Sequence, residues 1–193
     1  LVRENPGRLP APFSSFDLFS IAVAVVALVL WAALPDSRLT GAAMAVAALL
    51  QFLRLARWAG LRSLRDPLVW MLHACYLFVP VGFALIAAAS FWPDVVSPVA
   101  GVHAFGVGAV GGMTLAVMMR ASLGHTGQKL KAGLSGTVLF VALLVAAVSR
   151  ILATFSDSHT GMTLHIAAFA WMIAFVGFGL VFAPALSRRR RAE

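Results

Sequence analysis

Three of the five histidines in this chain, His73, His103 and His165, fall inside long apolar runs. An ionisable side chain set in hydrocarbon is costly, so each is a candidate for a functional site. Imidazole nitrogens ligate transition metals and haem iron. His103 lies in the most unusual stretch, Gly101 to Gly127, GVHAFGVGAVGGMTLAVMMRASLGHTG. There a histidine and a cluster of glycines interrupt an apolar span, which ends in a basic, glycine-flanked segment carrying His125.

Depth along the helix relates these side chains. His103 and His165 each lie about five residues into a span running inward, about 8 Å below the outer boundary at 1.5 Å per residue. Level imidazoles can ligate one metal, such as a haem iron held by two histidines. Alternatively, each is hydrogen-bonded on its own to a neighbouring helix. Met162, His165 and Met172 are spaced by three and seven and so share a helix face. Thioethers suit Cu(I), although core packing explains methionines more simply.

His73 lies about 9 Å from the cytoplasmic boundary, about 13 Å in depth from His103, and level with Met113. A copper site at His73 and Met113 and a hydrogen-bonded histidine are the two readings. Met71 and Cys75 lie one turn apart on a face largely opposite His73. His125, in SLGHTG, either binds a metal or an anion with Arg120 or belongs to a tight turn between Gly124 and Gly127. Arg150 can snorkel, pair with Asp157, or meet a propionate of a haem near His103. His159, beside Asp157, reads as a solvated loop residue. Gly101, Gly108 and Gly112, with Gly106 and Gly111, permit close helix packing or leave room for a flat macrocycle.

The elements that position these residues must be membrane helices. The chain has 193 residues, 61% of them hydrophobic and only 11% charged, with a mean hydropathy of +0.93. That is less than half the charge of a soluble domain, roughly 25%. Six apolar runs of about 20 residues each fit a hydrocarbon core of roughly 30 Å. They predict spans over 16–34, 39–58, 67–90, 98–121, 132–155 and 162–184. Continuous Ala- and Leu-rich runs exclude a β-barrel, so the predicted fold is an all-α, polytopic transmembrane bundle. Residues 1–15 read as a cytoplasmic linker, 16–185 as the six-span domain and 186–193 as a basic cytoplasmic tail. Pro67 and Pro98 open helices, and Pro80 should kink the third.

The net charge of +8 would point to nucleic acid in a soluble protein. Here the cations fill the connections: Arg54, Arg57, Arg62 and Arg65, then Arg120, Lys129 and Lys131, then Arg188 to Arg191. They predict cytoplasmic termini and contact with anionic lipid headgroups, with no folded basic surface left for nucleic acid. Six crossings put both termini on one side, in agreement. A lone Cys75 closes no intrachain disulfide. There is no C-x-x-C-H for covalent haem, no cysteine set for an iron–sulfur cluster, no phosphate loop and no serine triad. No carboxylate relay crosses the membrane, which disfavours proton-coupled transport.

HAFGVGAVGGMTLAVMMRASLGHTG closely resembles the signature of the NnrS family, with its histidine, glycines, MTLAVMMR and LGHTG in order. RLARWAGLRSLRDPLVWMLHACYLFVPVGF and the segment around His165 are similar too, so that the resemblance covers roughly residues 20–185. It implies a bacterial inner-membrane protein of nitric oxide and nitrogen-oxide metabolism, with haem and copper as cofactors and nitric oxide as a ligand. It implies functional histidines at His73, His103 and His125, without saying which metal each binds or whether a substrate is turned over. It also implies the C-terminal half of a longer protein, with the N-terminal half as partner. A transporter that moves on the Pro80 kink and the glycine-rich span, and a cofactor-free structural membrane protein, are the two other readings.

Overall fold

The computed structural model describes residues 11–58, 60, 66–155 and 160–187. The described residues form six helices long and apolar enough to cross a membrane, and contain no strand. This is the architecture of a multi-pass membrane protein. The spans are Ser15–Ala33, Arg38–Arg57, Pro67–Phe91, Pro98–His125, Gly133–Leu152 and Thr160–Ser187, referred to below as first to sixth.

Local chemistry sets the helix starts. Ser14 N–H donates to the Asp17 carboxylate at 2.9 Å ahead of the first span. Ser37, Asp66 and Ser97 each accept a backbone N–H two residues on, from Leu39, Leu68 and Val99. Pro67 and Pro98 occupy the first helical position, where the missing N–H has no acceptor to lose. Ser97→Ala should lower stability by about 1 kcal/mol, seen as a small drop in the thermal midpoint in detergent.

Packing follows chain order. The first span lies on the second, the second on the third, and the third on the fourth; the fourth and sixth both flank the fifth. Two cores result. Ala24, Ala27, Met44, Ala47, Phe83 and Ile86 join spans one to three. Met71, Cys75, Leu115, Met119, Phe140 and Phe178 join spans three to six towards the arginine-rich end.

Gly101, Gly108 and Gly112 of the fourth span serve packing against the third. A Cβ on Gly108 would run into the Phe78 ring, and one on Gly112 into the Cys75 sulfur. A Cβ on Gly101 would lie 2.8 Å from the Gly82 carbonyl oxygen. Between the α-helical turns of Pro98–His103 and Gly112–His125, residues Ala104–Gly111 form a π-helical segment. Such segments are rare and cluster at functional sites.

The structure extends the fourth helix beyond the predicted end at 121. SLGH forms its last turn, so His125 ends a helix and does not stand in a loop. Thr126 Oγ1 donates to the Ser122 carbonyl at 2.7 Å, and the chain turns at Gly127 with φ +70°. The fifth helix ends at Leu152, ahead of the predicted 155. Pro80 is buried inside a helix that continues through it.

Candidate functional site

His103 is the last residue before the π-helical segment, where the register of the fourth span changes. Its side chain is half-buried. A cavity of about 330 Å³ lies between the fourth, fifth and sixth spans, with Val107, one turn beyond His103, in its lining and His103 outside that lining. Its walls include Val107, Ala146, Ala168, Trp171 and Met172, and Arg150 is the charged residue among the lining. The cavity lies towards the end of the bundle opposite the arginine-rich one.

His165 lies five residues past Thr160, as His103 lies five past Pro98, so the two match in depth. Its ring is exposed on the outside of the sixth span, and Nδ1 lies 2.6 Å from the Gly161 carbonyl oxygen. Among the described residues no hydrogen bond or ring contact joins it to His103. Met162 and Met172 are both exposed, and Met172 is also part of the cavity lining.

His73 belongs to different surroundings. Its Nδ1 lies 3.0 Å from the Val69 carbonyl, and its ring meets Trp58 edge-on with centroids 5.9 Å apart. The backbone at Gly60 passes so close that a Cβ there would lie 2.7 Å from His73 Cδ2. Met113 packs against the core of spans three to six. Cys75 is fully buried in that core, in contact range of Gly112. His125 is exposed at the end of the fourth helix. His159 and Asp157, and with Asp157 the pairing expected for Arg150, lie outside the described residues. Among the described residues no group of three or more His, Cys, Asp or Glu is placed to hold a metal ion.

A polar network at the arginine-rich end of spans one to three went unseen in the sequence. Arg54 Nε donates to the buried Asp17 at 3.2 Å, and Arg54 Nη1 donates to the Tyr76 hydroxyl at 2.9 Å. The Tyr76 hydroxyl donates to Gln51 Oε1, and Gln51 Nε2 donates to the Ser20 carbonyl at 3.1 Å. Arg57 adds a second cation 3.7 Å from Asp17. Every buried polar side-chain atom among the described residues has a partner. Tyr76, the only tyrosine, and Gln51, polar inside a span, were the signals available.

A comparison with protein-family models matches residues 3–190 to the model described as NnrS protein, nearly the whole chain. Comparisons with curated proteins and with solved structures give no match.

Proposed function

The chain belongs to the NnrS family, and from that premise we propose that it is a haem-binding bacterial inner-membrane protein of the nitric oxide response. Its arginine-rich end faces the cytoplasm, as the positive-inside rule requires, and the cavity faces the outer leaflet.

The observation that carries the haem reading is His103: a half-buried imidazole inside a span, at the start of a π-helical segment. An imidazole is a fitting ligand for haem iron, and His103 would hold the iron through a ring nitrogen. Haem, when bound, supplies an iron that takes nitric oxide as a ligand and exchanges single electrons. His165 matches in depth and would need to turn inward to serve as a second axial ligand. Copper rests on the family alone. His73 contacts Val69 and Trp58, and Met113 packs against the core of spans three to six.

The test is optical. The purified wild type should show a haem spectrum that shifts when nitric oxide is added. His103→Ala should lose most of the haem, with helicity unchanged by circular dichroism. His165→Ala should retain it with a changed axial signature if the second ring turns inward, and unchanged otherwise. A colourless, metal-free wild type defeats the reading, and full haem in His103→Ala defeats the site.

A further inference from the structure

We propose that the cavity between the fourth, fifth and sixth spans binds an anionic phospholipid of the surrounding bilayer. Its phosphate would sit on Arg150 and one acyl chain would fill the cavity. The inference goes beyond the haem reading and does not depend on it.

Depth and chemistry both carry it. Arg150 lies two residues before the end of the fifth helix at Leu152, about 3 Å inside the boundary. Leu164 and Met172 lie four and twelve residues beyond Thr160, about 6 Å and about 18 Å inside it. A cation therefore stands at headgroup depth, and an apolar pocket extends below it into acyl depth. That is the layout of a lipid with its head up and its tail down.

Arg150 also belongs to the cavity itself. A fully snorkelling arginine would lie out on the membrane surface. This one is half-buried and forms part of the cavity lining. Its guanidinium stays protonated and presents a planar fork of donors suited to phosphate oxygens. The salt bridges among the described residues are those of Asp17 with Arg54 and Arg57, at the far end of the bundle. A volume of about 330 Å³ leaves room for part of one hydrocarbon chain, so the second chain would stay in the bilayer.

The test uses the full chain in nanodiscs of equal parts phosphatidylglycerol and phosphatidylethanolamine, with retained lipid counted by native mass spectrometry. Wild type should retain phosphatidylglycerol in preference. Arg150→Gln should reduce that retention about tenfold, the factor that one charge-assisted contact of about 1.4 kcal/mol supplies. Arg150→Lys should recover part of it. Ala168 is exposed on the cavity wall, so Ala168→Trp should fill the space and displace the lipid without disturbing the core. Equal retention in wild type, Arg150→Gln and Ala168→Trp overturns the proposal. So does a loss of haem colour in Arg150→Gln with retained lipid unchanged, which would give the cavity to the haem.

Discussion

Gly101→Ala should destabilise the protein by about 2–3 kcal/mol, while Gly106→Ala in the same helix should be neutral or stabilising by up to about 1 kcal/mol. Opposite signs for the same change five residues apart are a stringent expectation. In a helix interior alanine is normally favoured over glycine, because glycine loses more backbone entropy. At Gly106 nothing lies within 4 Å of the added methyl, so only that gain remains. At Gly101 the methyl meets Ile86 and lies 2.8 Å from the Gly82 carbonyl oxygen. A side chain can rotate away, but a carbonyl fixed in the neighbouring helix can move only if the helix moves. The third and fourth spans must then separate, and His103, two residues further on, moves with them. Thermal unfolding in detergent, followed by circular dichroism, reads the sign directly. A Gly101→Ala midpoint at or above wild type would remove the tight third-to-fourth contact from this account. The same variant should also lose haem if His103 holds it, linking packing to the site.

What could be read in the sequence, and what could not, follows from the solvent. Helix rise is fixed, so counting residues placed His103 and His165 at matching depths and set the six spans close to their observed limits. Rotation about the helix axis was not legible. In a soluble helix a polar face marks the outside, but in lipid both faces of a span are apolar and the periodicity carries no direction. That is why the exposure of His165 and the half-burial of His103 needed coordinates. The helical turn at SLGH was hidden because Gly124 looks like a terminator, whereas the left-handed residue is Gly127. The π-helical segment left a trace only in its glycines. Arg54 reads as one of the cations of the second-to-third connection, and only the placement of spans one to three turns it onto Asp17.

That inward pair makes the second large prediction. Arg54→Met should lower the thermal midpoint clearly, because it leaves the Asp17 carboxylate poorly compensated and takes a donor from Tyr76. Arg57 remains 3.7 Å from Asp17, but its side chain is about one-third exposed, so it offsets only part of the loss. The double variant Asp17→Asn/Arg54→Met should recover much of that loss. Removing both charges removes the desolvation problem that removing one exposes. An asparagine at position 17 can still accept from Ser14 N–H, and Tyr76 can still donate to Gln51. Arg57 keeps its bond to the Ser14 hydroxyl and its place over the Phe16 ring, 4.8 Å from the centroid. A thermal cycle of the wild type, both single variants and the double measures the coupling. If the double falls as far as the sum of the singles, the network acts through shape and packing, and charge pairing is not what joins the first span to the second and third. If it recovers, the pair fixes how those spans dock, and the same contact holds Tyr76, one turn from His73, in its place.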